Sequence, residues 1–192
     1  MDFVVIDVET ANQNSSSICQ IGIACFSNGK HVRTWGTLIN PEDSFSSFNV
    51  QLHGIEPRDV AHSPTWLDVQ SDLRDSLEQR TVASHTFFDR GAVNGANERY
   101  AVTPILVANW IDTCQIARRT WPYLPNHKLA SLARNFGIVY GAHDALEDAR
   151  CAGEILLQAA RTSNLSLEEL SMGKHPSRRP ALVRYSIRES SS

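Results

Sequence analysis

Two acidic residues follow an apolar, β-branched run near the start of the chain. The run at 3–6 predicts a strand buried on both faces, and Asp7 and Glu9 come at its end. Because side chains alternate along a strand, these two carboxylates point the same way from a predicted core. Their repulsion and lost solvation would be offset by a divalent cation such as Mg²⁺ or Mn²⁺. The alternative is that both acids leave the strand end for a solvated turn.

A second pair of chemically interesting residues lies at a predicted helix start. Asp144 and Glu147 have capping-box spacing, which makes Asp144 the N-cap and Glu147 the third helical residue. His143 and Asp148 then occupy the two positions that face each other across the cap and are ordinarily apolar. A histidine beside an aspartate at these two positions is a departure that indicates a chemical role. The alternative is a surface histidine paired with Asp148.

Asp89 adds a third candidate position. It follows a predicted strand at 81–85 and lies in the first turn of a predicted helix, where the helix dipole alone would favour an acid. Three or four converging carboxylates fit a centre of two metal ions, about 3.5–4 Å apart, for in-line attack at phosphorus. A histidine suits the proton acceptor, since the unperturbed pKa of this residue type is about 6.5. The candidate set is Asp7, Glu9, Asp89, Asp148 and His143.

The bulk composition restricts the class of protein. With 192 residues and a net charge of −3, the chain has no overall positive field for a polyanion, so such a substrate would be held locally. The four cysteines form neither a C-x-x-C pair nor a zinc spacing. The sequence enters a strand at once and contains no run long enough to cross a bilayer. We therefore expect a reduced, cytoplasmic protein without a membrane partner.

The elements that must position these residues follow an α/β order. Strands at 18–26 and 30–39 are joined by the hairpin dipeptide Asn28-Gly29. An irregular stretch at 42–63 comes next. We predict the remaining elements as a helix at 64–79, a strand at 81–85, a helix at 87–100, a strand at 104–111, and helices at 112–119, 128–136 (capped by Asn126) and 145–160. This order predicts an α/β domain in which helices flank a mixed five-stranded sheet.

Together these motifs resemble a known family over roughly residues 2–160. The match is to the DEDD exonuclease superfamily in its His-containing branch, DEDDh, which includes the proofreading epsilon subunit of bacterial DNA polymerase III. The resemblance implies a ribonuclease H-like fold and 3′→5′ removal of nucleoside 5′-monophosphates with two Mg²⁺ or Mn²⁺ ions. The motifs that carry it are Asp7-x-Glu9-Thr10, His53-Gly54-Ile55, Phe88-Asp89, Asp112-Thr113, 124–129 and His143-x-Ala145-x-x-Asp148.

By matched position, the resemblance assigns roles to all five candidate residues. It implies that Asp7, Glu9 and Asp148 hold one ion. Asp7, with Asp89 acting through water, would hold the second ion. His143 would be the general base.

The resemblance also implies contacts to the terminal nucleotide by Thr10, Ile55 and Phe88. Members of the family often have Ala-His-Asn shortly before the Phe-Asp pair, whereas here His85 takes the place of the asparagine. We expect His85 to contact the nucleotide or its supporting loop in a different way. Nucleic acid is the implied partner, with DNA preferred over RNA. The alternatives are an exoribonuclease of the oligoribonuclease type and a non-catalytic accessory module.

The composition shifts near residue 162, so we expect an exonuclease domain at 1–161 and a C-terminal extension at 162–192. Ser166 to Glu169 predicts a short capped helix. Beyond Met172 the tail has five basic residues and one acidic residue. It is expected to be a partly ordered extension. Alternatively, its segment 181–187 pairs with a polymerase subunit or a second copy, or its basic residues contact nucleic acid.

Overall fold

A mixed five-stranded sheet lies at the centre of the structure, a computed structural model in which residues 1–174 are described. The strands are β1 Phe3–Thr10, β2 Ile18–Ser27, β3 Lys30–Leu38, β4 Thr81–Ser84 and β5 Asn109–Asp112. Their order in space is β3-β2-β1-β4-β5. The first three strands are antiparallel, and β4 and β5 add in parallel beside β1. The predicted mixed five-stranded sheet is confirmed.

Eight helices surround this sheet within residues 1–174. They are α1 Ser47–His53, α2 Pro57–Val60, α3 Gln70–Leu77, α4 Phe88–Arg99, α5 Thr113–Thr120, α6 Leu129–Phe136, α7 Ala145–Ser163 and α8 Leu167–Ser171. None of these helices is long and apolar enough to cross a membrane.

The hairpin between β2 and β3 forms where the sequence predicts it. Asn28 and Gly29 have φ values of 51° and 71°, the left-handed pair that a type I′ turn requires. This turn matches the twist of the two strands, so it fixes their register. Register in turn decides which side chains of β2 face α7.

The alternation of β1 divides the apolar core into two layers. Phe3 and Val5 belong to one cluster, which α5, α6 and α7 cover. Val4 and Ile6 belong to the other cluster, which α3 and α4 cover. Because helices lie on both faces, the strand is apolar on both sides, as its sequence predicts. Asp7 shares its face with Val5 and so lies on the side of α7.

Two predictions are wrong in the segment between β3 and β4. The stretch 42–63, predicted to be irregular, contains α1 and α2. α1 buries none of its residues, so it has no amphipathic pattern to reveal it in the sequence. The helix predicted over 64–79 begins only at Gln70. Trp66 and Val69 are buried as that prediction required, but from turns that precede the helix.

Two further boundaries differ from the sequence prediction. The strand predicted at 104–111 is formed only over Asn109–Asp112, since it pairs with the four residues of β4 and no more. Asn126 does not cap α6, whose N-cap is Lys128. The Asn126 side chain instead accepts a hydrogen bond from the Lys128 backbone N–H, at 3.1 Å, in the turn before the helix.

The end of the described chain packs on the same core. α7 continues to Ser163, and the predicted capping box at Ser166 starts α8. Leu167 and Leu170 of α8 are buried in the cluster beneath α7. The predictions for the basic tail, including pairing through 181–187, lie outside the described residues, and the division at 161 stays a prediction.

Candidate active site

Asp7 and Glu9 project from within β1 rather than from beyond its end. The strand continues to Thr10, so the alternative of a solvated turn is wrong. Asp7 is half-buried, and Glu9 is only 9% exposed. Both side chains lie on the face of the sheet that carries α7, two residues apart as the alternation requires. The sequence therefore places two carboxylates side by side at the edge of a core.

The first turn of α7 reaches these carboxylates because β2 presents a glycine beneath it. Gly22 pairs with Asp7, and a Cβ added at Gly22 would overlap the backbone of Ala145. The neighbouring Gln20 pairs with Glu9, and its Oε1 accepts the Ala145 backbone N–H at 3.1 Å. That N–H is among the first-turn donors that no helical carbonyl satisfies. β2 therefore both admits and anchors the start of α7.

The cap of α7 follows the sequence prediction in part. The Asp144 side chain accepts backbone N–H bonds from Leu146 at 2.9 Å and Glu147 at 3.3 Å. The Glu147 carboxylate does not complete the capping box, because it pairs with Arg150 at 2.8 Å. Asp144 is therefore the N-cap as predicted.

His143 and Asp148 meet across this cap, as their spacing predicts. The His143 backbone N–H donates to Asp148 Oδ2 at 3.1 Å. His143 has a φ of 65°, in the left-handed region that non-glycine residues seldom adopt. One side-chain ligand atom from each of Glu9, His143 and Asp148 lies within 4.8 Å of the others. The structure thus brings together Glu9 and Asp148, which are 139 positions apart in the sequence.

Asp89 enters the same edge of the sheet from α4. β4 pairs with β1 at Val4 and Val5, so within residues 1–174 the later part of this edge of β1 has no strand partner. Asp89 Oδ1 accepts the backbone N–H of Val8 there, at 3.1 Å. The aspartate is 4% exposed. The Asp89 carboxylate, in the first turn of α4, therefore accepts a β1 hydrogen bond that a neighbouring strand would otherwise accept.

Burial raises the affinity of all four carboxylates for protons, and the charges of neighbouring acids add to this effect. Burial, and then the charges of Asp89 and Asp148, raise the pKa of Asp7 well above its usual range. Burial, and then the charge of Asp148, raise the pKa of Glu9 to about 7. Burial also raises the pKa of Asp89 to about 7 and that of Asp148 to about 6. The folded chain thus concentrates negative charge where water cannot fully solvate it.

The cluster fits divalent cations. Its donors are carboxylate oxygens, which Mg²⁺ and Mn²⁺ prefer. Asp148 is 8% exposed, and within residues 1–174 its Oδ1 atom is buried without any hydrogen-bond partner. A buried, unpaired carboxylate oxygen is costly unless a cation is bound beside it. We therefore regard Asp7, Glu9, Asp89 and Asp148 as the groups that would hold metal.

The residues expected along the nucleotide are sequence neighbours of these acids or are linked to such a neighbour through His53. Thr10 follows Glu9. The Thr10 carbonyl accepts hydrogen bonds from Asn49 Nδ2 at 2.8 Å and from His53 Nε2 at 3.2 Å. Ile55 is buried in a small apolar cluster beside β1 and β2, and its N–H donates to His53 Nδ1 at 3.0 Å. The Phe88 ring is exposed next to Asp89. Thr10 and Ile55 are thus fixed through one histidine, whereas Phe88 offers a free aromatic face.

His85 lies in a different setting. Its Nε2 bonds to the His127 carbonyl at 2.9 Å, and its Nδ1 bonds to Thr113 Oγ1 at 3.0 Å. It thus links the end of β4 to α5 and to the turn before α6. This geometry fits support of the loop better than a contact to the nucleotide.

Sequence reasoning missed the residues that hold the site in place. Asn49 and His53 fix the Thr10 carbonyl, Gln20 anchors α7, and Arg150 bonds the segment before it. His53 belongs to a motif that the resemblance includes, and this was a usable signal. Nothing in the local pattern marks Asn49, Gln20 or Arg150, since each acts on a residue far away or on a loop.

Comparisons with known proteins agree with this geometry. A family model described as Exonuclease, RNase_T, matches residues 4–156. DNA polymerases III of the PolC type from Caldanaerobacter subterraneus subsp. tengcongensis and Streptococcus suis are each 30% identical to the chain, over 162 and 158 residues. The matches cover 82% and 80% of this chain. The chain spans only 11% of the length of these curated relatives.

Solved structures share the fold at lower identity. Exonuclease X in complex with 5′ overhanging duplex DNA has a TM-score of 0.68 at 21% identity, over 88% of this chain and 98% of that one. The nuclease domain of 3′hExo, a DEDDh family member bound to rAMP, has a TM-score of 0.70 at 17% identity, over 83% and 92%. Exonuclease I has a TM-score of 0.71 at 14% identity, over 90% of this chain and 42% of that one. These likenesses confirm the ribonuclease H-like exonuclease fold.

Proposed function

This chain belongs to the RNase_T exonuclease family, in its DEDDh branch, and we propose that it is a metal-dependent 3′→5′ exonuclease that acts on DNA. It would release nucleoside 5′-monophosphates by hydrolysis of the terminal phosphodiester. The observation that carries the proposal is the meeting of Glu9, His143 and Asp148 within 4.8 Å, beside Asp7 and Asp89.

The four acids would hold two divalent ions. Asp7, Glu9 and Asp148 would bind the first ion, and Asp7 together with Asp89 would bind the second. When bound, such ions polarise the scissile phosphate, promote ionisation of the attacking water and stabilise the charge that develops on the leaving oxygen. The unpaired Asp148 Oδ1 atom supports this assignment, because ionised carboxylates this deeply buried need a cation.

The side chain of His143 would accept a proton from the attacking water. The residue is exposed at the mouth of the cluster, so its ring can pass the proton to solvent. Its backbone bond to Asp148 couples the base to a metal ligand. Thr10, Ile55 and Phe88 would bind the terminal nucleotide, and the two hydrogen bonds to the Thr10 carbonyl would fix the Thr10 backbone beside that nucleotide.

DNA is the preferred substrate in this proposal because the matched relatives are DNA polymerases. RNA is the alternative substrate, and it is supported by the structural likeness to a nuclease domain that was solved with rAMP bound. The two are separated by hydrolysis rates on DNA and RNA oligonucleotides of the same sequence. A non-catalytic accessory module is less well supported, since all five chemical positions carry residues of the required type.

Product analysis tests the proposed chemistry. The chain, a single-stranded oligonucleotide and Mg²⁺ should yield nucleoside 5′-monophosphates on ion-exchange chromatography, and EDTA should prevent their release. Asp148→Ala should abolish release because it removes a metal ligand. His143→Ala should lower turnover by about 10²–10⁴-fold while metal affinity is kept. Metal binding without any product would contradict the proposal, and a fully active His143→Ala variant would contradict its assignment as base.

A further inference from the structure

The segment that carries His143 is bonded to the rest of the described chain through side chains. Residues 139–143 lead from α6 into α7, and within the described chain none of them makes a backbone-to-backbone hydrogen bond. Side chains of α7 hold the segment instead. The Val139 carbonyl accepts Arg150 Nη2 at 2.7 Å, and the His143 N–H donates to Asp148 at 3.1 Å. Arg150 therefore holds the start of the segment and Asp148 holds its end, while Tyr140 between them packs against the core.

The Arg150 side chain is itself held on two sides. Its guanidinium bonds to Glu147 at 2.8 Å and to Glu154 at 2.5 Å, one helical turn to either side. Only 21% of the side chain is exposed. A guanidinium has a planar, rigid set of donors, so two carboxylates fix its orientation. The Nη2 atom that also contacts Glu147 then reaches the Val139 carbonyl in a set direction.

The backbone of His143 needs such support. A left-handed conformation costs energy for a residue with a Cβ and persists only where its surroundings determine it. Packing contributes at one position only: Tyr140 packs partly against the core, whereas Val139, Gly141 and Ala142 are exposed in the described structure. If the Val139 end were released, the segment could relax and the His143 ring would leave Glu9 and Asp148.

We propose that Arg150 is a positioning residue for His143, holding the 139–143 segment so that the His143 ring stays beside the metal cluster. The proposal rests on the proposed function, in which His143 is the general base. No hydrogen bond or ion pair in the described part of the chain joins Arg150 to Asp7, Glu9, Asp89 or Asp148. Its removal should therefore alter proton transfer and leave metal binding intact.

Steady-state and metal-binding measurements on Arg150→Met give the first test. We expect kcat to fall about 10–100-fold, as for other residues that orient a catalytic group, with KM and Mn²⁺ affinity unchanged. Arg161→Met is the matched control, because Arg161 lies exposed near the other end of the same helix. A kcat for Arg150→Met equal to that of the control would overturn the proposal, as would a parallel loss of Mn²⁺ affinity.

A double-mutant cycle separates positioning from a general structural role. Arg150→Met should cause no further loss in a His143→Ala background, measured by single-turnover hydrolysis with enzyme in excess. Equal losses in both backgrounds would mean that Arg150 does not act through His143. Arg150→Lys keeps the charge but not the planar donors, and it enters the same cycle if the methionine variant does not fold.

The same cycle distinguishes the two levels of inference. If His143→Ala is impaired and Arg150→Met is fully active, only the positioning role of Arg150 is excluded. A fully active His143→Ala would remove the base assignment and, with it, the positioning role.

Discussion

At the scale of single residues, the candidate site combines features that the sequence reveals with features that it hides. The spacing of Asp7 and Glu9 predicts their shared face, and helix-cap positions predict the meeting of His143 with Asp148. Asp89 is different, since a first-turn acid is common and only the open edge of β1 explains its place. Local periodicity identifies neighbours on one element, but not neighbours brought together by the fold.

We predict that the metal-free protein loses stability as pH rises from about 4 to about 7. The raised pKa of Glu9, Asp89 and Asp148 means that the folded chain keeps protons that the unfolded chain releases over this window. Stability therefore falls with rising pH. Mg²⁺ added at neutral pH should restore it, because the ion binds the ionised carboxylates of the folded state. Thermal unfolding in EDTA across this pH range measures the effect.

Asp89→Asn provides the control for this pH effect. Removing one buried acid should flatten the pH dependence in EDTA and raise the melting temperature near pH 7, while abolishing hydrolysis. A melting temperature that rises between about pH 5 and pH 7 in EDTA, in both proteins alike, would mean that the carboxylates do not repel one another as argued.

At the scale of elements, the start of α7 against β2 sets the geometry of the site. Gly22 lets the helix backbone approach the strand, and Gln20 bonds its first N–H group. The long helix was predictable from its apolar period and its cap, and the β2–β3 hairpin from Asn28-Gly29. The contact between helix and strand was not, because the sequence does not say which glycine a distant helix will cover.

The failed predictions have two physical causes. α1 has a proper N-cap at Ser46 and a left-handed glycine at Gly54, but no buried face, so an amphipathic pattern could not reveal it. The apolar residues around 104–108 resemble a strand, yet pairing with the short β4 begins only at Asn109. Boundaries of this kind depend on partners rather than on local propensity.

We predict that Gly22→Ala lowers the turnover and the stability of the protein by displacing α7. The added methyl group would overlap the Ala145 backbone, so the helix start must move. Overpacking of this kind costs about 1–3 kcal/mol of stability. A displacement of catalytic groups near 1 Å costs about 10²-fold in rate. Turnover and thermal unfolding of the variant measure both effects.

Gly91→Ala is the matched control for that substitution. A Cβ at Gly91 would meet no described atom within 4 Å, and alanine is favoured over glycine in a helix. This variant should be as active as the parent chain and at least as stable. Wild-type turnover in Gly22→Ala would contradict the close approach of α7 to β2.

At the scale of the whole molecule, charge is distributed unevenly. The chain carries a net charge of −3, and its candidate site concentrates four acids, so in the proposed function bound metal would offset their repulsion of a polyanion. Basic residues are frequent after Met172, outside most of the described structure. The resemblance covers roughly 2–160 and gives no function for them.

We predict that deletion of residues 175–192 leaves kcat unchanged, because the buried core and the candidate site lie within the described part. KM for nucleic acid should rise and its dependence on salt should weaken, since Arg178, Arg179, Arg184 and Arg188 are lost. Salt titrations of KM, with the molecular mass in solution measured in parallel, test this. Unchanged KM, salt dependence and mass would rule out the tail as a contact for nucleic acid or a second copy.

A deeper deletion, after residue 163, is the contrasting case. It also removes Leu167 and Leu170, which are buried against the core, so it should lower the melting temperature.

The most direct test of the central claim is the polarity of cleavage. Matched oligonucleotides of DNA and RNA, labelled at the 5′ end or the 3′ end, would be incubated with the chain and Mg²⁺ or Mn²⁺. We predict a metal-dependent ladder that shortens stepwise from the 3′ end of the 5′-labelled strand, with immediate release of mononucleotide from the 3′-labelled strand. Cleavage from the 5′ end, or no cleavage by protein that binds metal, would contradict a two-metal 3′→5′ exonuclease.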